Sequence, residues 1–205
     1  MKYTDFISSL NQQLSSHLES MGFKNLTDNL FVRFSDSHEI NVISIQKHSS
    51  DPTVCVNFGV HYDFLPKVAS SEPPCDGLIE LSNCEVKIRL TPNPSEKDYW
   101  WPIATNSIYE IADLINFQTS KFFYSYNLDG DISTITPSDL NEDLPDIIAM
   151  LTKVRAGLLL AHIHEALGNT EKAASFAKFG IKEAGMAVGP KKILREILQR
   201  VEKKS

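Results

Sequence analysis

What the chain lacks excludes most of the common chemistries. Its three cysteines, Cys55, Cys75 and Cys84, are odd in number and show no C-x-x-C spacing. No disulfide framework is expected, and reduced thiols in a cytoplasm are. Nowhere do about eighteen apolar residues run together, and Met1 to Leu14 has scattered polar residues in place of an apolar signal segment. A soluble, unexported protein with no membrane partner is therefore predicted, and the Asn25-Leu26-Thr27 sequon is without meaning. There is no G-x-S-x-G, no P-loop and no G-x-G-x-x-G, so no nucleophile elbow, phosphate cradle or cofactor is expected. Basic residues are outnumbered, 20 against 26, for a net charge of −6. An acidic surface repels phosphate backbones, which argues against nucleic acid as a partner. The balance is uneven: Pro190 to Ser205 carries a local +4, leaving −10 on everything before it. That basic tail reads as a solvated helix end.

What is present is a β-rich stretch from Leu30 to Phe64. Val54, Val56, Phe58, Val60, Tyr62 and Phe64 fall at every second position, and a pleated strand sends such a set to one face, here the core. The opposite set, including Cys55, Asn57, Gly59 and His61, is small or polar and is expected near water. Leu30, Val32 and Phe34 alternate likewise, with Phe31 and Arg33 opposed. In Glu39 to Lys47 the apolar phase switches, Ile40 and Val42 holding one parity and Ile43 and Ile45 the other. A β-bulge near Val42 or burial of both faces would account for this, and the bulge is preferred. Short connections of turn formers, Ser35 to His38 and His48 to Pro52, make the neighbours antiparallel. A fourth strand is expected from Cys84 to Leu90, after a long loop from Leu65 to Asn83.

Helices flank the sheet. Tyr3, Phe6, Ile7, Leu10, Leu14, Leu18 and Met21 form an apolar stripe, with Gly22 placed to end the helix in a left-handed conformation and Phe23 to seal it. Ser107 and Glu110 form a capping box for a second helix reaching about Ser120. Phe122, Tyr124, Tyr126 and Leu128 then alternate like a short strand, although the segment could also continue the helix. Thr136-Pro137-Ser138-Asp139 predicts a short capped helix. Pro145 to Leu167, Thr170 to Ala184 and Pro190 to Lys203 predict three further helices. The first two resemble a tetratricopeptide hairpin, with Ala161, Ala173 and Gly180 at its small positions. One hairpin cannot form a solenoid, so it must pack against its own domain or another copy. The fold class is α+β: an antiparallel meander packed on an N-terminal helix and a second helix, in a domain over 1–128, then a hairpin plus one helix over 145–205.

Several of these segments together resemble a known family. Met21-Gly22-Phe23, Phe31-Val32-Arg33, Ile45-Gln46-Lys47-His48-Ser49, Val56 through Val60, Cys84 through Arg89 and Asp98-Tyr99-Trp100-Trp101-Pro102 are similar to motifs of the bacterial domain-of-unknown-function 4304 family. The resemblance covers about Leu14 to Ile115, and His48 interrupts the family's usual Gln-Lys-Ser. It implies a bacterial α+β domain and supplies no reaction.

Candidate sites follow from the strands. Arg33, Lys47, His61, Lys87 and Arg89 could share the sheet's polar face, where rigidly held cations would bind a carboxylate or phosphate; the competing reading is a water-facing surface paired with Glu39, Asp63 and Glu85. Trp100 and Trp101 cannot both point inward in an extended segment, which leaves one as a protein-binding anchor unless both pack over the sheet edge. His162 and His164 project about 200° apart on a helix, so no metal site is predicted. Asn127, Asp129 and Asp131 begin like a calcium loop, but Ile132 stands where glycine is required and Ser138 where glutamate is. Cys55 and Cys84 lie within strands as packing groups, and Asp76 would raise the pKa of Cys75. The expected function is non-enzymatic binding of a protein, a basic toxin in the manner of an immunity protein or a second copy. The alternative is a small-anion sensor or enzyme using Arg33, His61 and Arg89.

Overall fold

The computed structural model describes residues 1–65, 79–93 and 95–203. They divide into two compact units, Met1–Phe123 and Tyr124–Ser205. Cys75 and most of the long loop lie outside the described residues.

Unit 1 opens with α1 (Tyr3–Ser20), whose Phe6, Ile7, Leu10, Leu14 and Leu18 are all buried, as the three- and four-residue spacing requires. Gly22 takes φ of 84°, and the Phe23 N–H reaches back to the Leu18 carbonyl at 2.9 Å. This closes the helix as its sequence predicts.

Six strands follow: β1 (Lys24–Thr27), β2 (Leu30–Phe34), β3 (Glu39–Lys47), β4 (Thr53–Tyr62), β5 (Val86–Arg89) and β6 (Trp101–Pro102). They form one antiparallel sheet in the order β1-β2-β3-β4, with β5 and β6 both paired to β4. The β3–β4 register runs unbroken from Glu39↔Tyr62 to Lys47↔Val54, and β2–β3 is equally regular. No bulge exists at Val42. The phase switch arises instead from burial on both faces: Ile43 and Ile45 lie opposite Phe58 and Val56, while Ile40 and Val42 point the other way.

One face therefore carries Phe31, Arg33, Ile43, Ile45, Val56, Phe58 and Val60, the reverse of the parity expected for β2. Phe58 meets Phe122 and Phe123 of α2 (Thr105–Ser125) at 5.3 and 5.1 Å between ring centroids. The opposite face, expected near water, is also covered. Leu30, Val32, Ile40 and Val42 form a core cluster there with Ile79 and Cys84. A Cβ added at Gly59 would lie 2.7 Å from Cys84 Sγ and 2.9 Å from Leu81 Cδ1, so glycine is what lets the 3₁₀ turn Leu81–Asn83 sit against the sheet.

The first part of the segment proposed as a short strand continues as helix: α2 starts at Thr105, two residues before Ser107, and runs to Ser125, well past Ser120, with Tyr126 to Leu128 in the turn beyond it. Ser107 is thus a buried interior residue and not a cap. Within α2 the adjacent Phe122 and Phe123 both reach Phe58, while Tyr124 of the alternating set is exposed.

Unit 2 comprises α3 (Asp131–Thr134), the 3₁₀ turn Pro137–Leu140 with its Thr136/Asp139 capping box, and three longer helices. The helix expected from Pro145 begins later. Asp146–Ile148 is a 3₁₀ turn, and α4 (Lys153–Ala166) starts where Thr152 caps it by accepting from the Arg155 N–H. Then come α5 (Thr170–Glu183) and α6 (Val188–Glu202). At the α4–α5 crossing a Cβ on Gly157 would meet Gly180 Cα at 3.0 Å, so the two backbones are in contact. Arg200 of α6 donates to both oxygens of Glu165 on α4, at 2.7 and 2.8 Å.

Candidate functional site

The five cations read as one face are split between two. Strand pairing puts Arg33 and Lys47 with Phe58 on the helix-covered side, and His61, Lys87 and Arg89 on the other. Odd-numbered residues of β2 pair with odd-numbered residues of β3, and these in turn with even-numbered residues of β4, an offset that the sequence alone does not disclose.

Each cation is engaged locally. Arg33 lies over the Phe23 and Phe123 rings at 5.0 and 5.7 Å and donates to the Met21 carbonyl at 3.3 Å. The Asn41 amide, turned with its oxygen toward Arg33, accepts from Nε and Nη2 at 3.2 and 3.0 Å. Burial lowers the Arg33 pKa from its ordinary value, and the charge of Glu39 opposes that shift. Lys47 Nζ sits 5.4 Å from the Tyr3 ring centre. Lys87 donates to the Ser82 carbonyl at 3.4 Å.

His61, fully buried, bonds through Nδ1 to Glu85 at 2.9 Å. Burial raises the Glu85 pKa, and His61 pulls against it. Arg89 is the one cation joined to a candidate tryptophan. It donates to Asn57 at 3.2 Å and to Asp98 at 2.5 Å, and its guanidinium lies 4.8 Å from the Trp100 ring centre. Trp100 donates to Asp98 at 3.4 Å, and the His48 ring stands edge-on to it at 4.7 Å. The Arg89 hydrogen bond holds the exposed Asp98 carboxyl below the usual carboxylate range.

Both tryptophans pack over the sheet border. Trp101 is only 1% exposed, pairs with Val54 and meets Tyr99 edge-on at 4.8 Å. Trp100 is half-buried. An open groove of about 560 Å³ lies next to them, between Trp101 and α2, lined by Pro92, Trp101, Glu110, Asp113, Leu114 and Phe117. Its walls are apolar, its rim bears two exposed carboxylates, and no Lys or Arg lines it among the described residues. Phe117 is 81% exposed.

Sequence reasoning passed over Glu110, Asp113, Leu114 and Phe117 because α2 was read only for its buried stripe. A phenylalanine off the phase of Ile108, Ile111, Ala112 and Ile115 is the signal that could have found it.

Elsewhere, Cys84 is buried, and burial together with the Glu85 charge pushes its thiol pKa far upward. Cys55 is likewise buried, which also raises its thiol pKa. His164 stacks flush on Phe176 at 5.3 Å, while His162 approaches Glu165 at 4.0 Å. Among the described residues, no cluster of three or more His, Cys, Asp or Glu side chains is placed to hold a metal ion. Nor is any of their helices long and apolar enough to cross a membrane.

Sheet, covering helices and groove define an α+β protein with two buried sheet faces and an apolar cleft on one flank. Residues 14–112 match the model of the family described as Domain of unknown function (DUF4304), which supports the family resemblance carried by the motifs. The match spans the whole meander and stops inside α2, and that description names no activity. No curated protein and no solved structure matches the chain.

Proposed function

We propose that this is a non-enzymatic, cytoplasmic bacterial protein that binds another protein, through the groove beside Trp101. The observation that carries the reading is the pairing of an exposed Phe117 with two carboxylates over an apolar floor. Such a cleft suits a bulky apolar side chain flanked by Lys or Arg. Apolar burial supplies the affinity, and the carboxylates select for basic partners and speed encounter. A basic toxin neutralised in the manner of an immunity protein has this chemistry, and the chain's net charge of −6 favours its approach. The anion-sensor alternative gains no support, because Arg33 lies across the sheet from His61 and Arg89.

We also read α4 and α5 as a tetratricopeptide-like hairpin. Full burial of Ala161 and Ala173 and the Gly157–Gly180 contact support that reading.

The test is affinity capture from host lysate with wild-type and Glu110→Lys/Asp113→Lys baits, followed by titration with a lysine-flanked leucine peptide. A basic partner held by the wild type, and peptide affinity lowered roughly tenfold or more by the double variant, are expected. Equal peptide binding by both chains overturns the assignment of the groove.

A further inference from the structure

Unit 2 carries the chemical complement of the unit 1 groove. Met186, between α5 and α6, and Val188, the first residue of α6, stand 96% and 79% exposed. α6 buries Leu194, Ile197 and Val201 against its own unit, which turns Lys192 and Arg195 outward. With Lys191 they line a hollow of about 540 Å³ in which Glu196 is the lone carboxylate among the described residues. Lys191 donates to the Gly185 carbonyl, so its ammonium is fixed at the rim. Single exposed apolar residues are ordinary on a protein surface, but two beside a three-cation hollow form a composite patch.

The two hollows are opposite in charge. We propose that a second copy of this chain occupies the acidic groove. Met186 and Val188 of one molecule enter the cleft between Trp101 and Phe117 of another, while Lys192 and Arg195 meet Glu110 and Asp113. This rests on the reading of that groove as a docking surface and names its occupant.

Two like chains of net charge −6 repel at long range. That repulsion is screened beyond about 8 Å at physiological salt, whereas the paired rims act within a few ångströms. The contact joins different patches, so it is heterologous. It closes as a two-fold pair using both contacts, or it extends into a ring or chain. Each patch is small, which places the affinity on the order of micromolar or weaker.

Sedimentation equilibrium of the full chain at rising concentration tests this, with two surface variants. One, Glu110→Lys/Asp113→Lys, leaves both patches basic; the other, Lys192→Glu/Arg195→Glu, leaves both acidic. All four positions are exposed, so folding is preserved, and circular dichroism confirms it for each chain. The expected result is a wild-type mass that climbs to at least twice that of the chain and falls back in high salt. Each variant alone stays monomeric, and an equimolar mixture of the two associates again, because every reversed patch then finds its opposite. A wild type that is monomeric throughout, or a mixture that fails to associate, overturns the proposal. If the lysine-flanked peptide still distinguishes wild type from Glu110→Lys/Asp113→Lys in that event, only the occupant is wrong and the groove stands. If the peptide does not distinguish them, the groove reading falls as well.

Discussion

Acidification should loosen unit 2 selectively, through His162 and His164. His164 is 2% exposed, and neither ring nitrogen has a partner among the described residues. Burial and the nearby charge of Lys172 lower its pKa to about 4. Burial, and more weakly the charge of Arg200, bring His162 to about 4 as well, against the pull of Glu165. In the unfolded chain each titrates near about 6.5, so above that pH both states are neutral and neither histidine affects stability. Below it the unfolded chain binds protons that the folded unit excludes, and stability falls as pH drops toward 4. For a group titrating at about 4 folded and about 6.5 unfolded, the loss is about 2 kcal/mol at pH 5 and levels off near 3 kcal/mol below pH 4. The two histidines together should therefore remove about 4 kcal/mol by pH 5, a large share of a marginal stability.

The assay is hydrogen exchange of α4 and α5 peptides, corrected for intrinsic rates, compared at about pH 7.5 and about pH 5. His164→Phe keeps a ring on Phe176 and removes one titration. Roughly half of the loss should vanish, and stability at neutral pH should rise by about 1 kcal/mol or more as unpaired buried nitrogens disappear. If His164→Phe loses as much protection between the two conditions as the wild type, the argument from burial is wrong.

Gly157→Ala would gain about 1 kcal/mol from helix propensity at an open position. Here the added methyl meets the Gly180 backbone, so a net loss of about 1–3 kcal/mol is expected in thermal unfolding. Cys84 should resist iodoacetamide at neutral pH in the native protein, because burial keeps it as the thiol. Gly59→Ala should push Leu81 and Cys84 off the sheet and raise that alkylation rate at least tenfold or so, read by intact mass. Asp98→Asn should free the Arg89–Trp100 stack and red-shift the tryptophan emission, while leaving the melting temperature within a degree or two or so, since the ion pair is half in solvent.

The sequence made the core parity of β4 plain, since an alternating apolar set of five residues from Val54 to Tyr62 has one stable placement. The helix stop at Gly22 was equally plain, because a left-handed residue followed by Phe23 is a local signal. What failed was non-local. Whether Ile40 and Val42 mark a bulge or a second buried face depends on Ile79 and Cys84, which arrive some forty residues later. β1 went unread because Lys24, Asn25, Leu26 and Thr27 are all exposed and carry no alternation. The cationic face divides because β2 has the reverse of its expected parity, which moves Arg33, and because the unbroken β3–β4 register puts Lys47 on the Phe58 side. Arg89 and Trp100, by contrast, do meet, though Asp98 and Asn57 already occupy the guanidinium. The groove was invisible because exposure of Phe117 is decided by where α2 lies against the sheet.

The lateral borders of the meander bear on how any companion molecule can attach. One border is β1, four residues long, solvent-facing throughout, opened by a lysine and out of step with β2 between Asn25 and Thr27. The other is shared by two short pieces, β5 and β6, along β4. Neither offers the long, straight row of free amides and carbonyls onto which a foreign chain could zip. Among the described residues, any companion would thus have to be held by side chains in clefts, and the same irregular rims discourage strand-by-strand fibre growth from the native state.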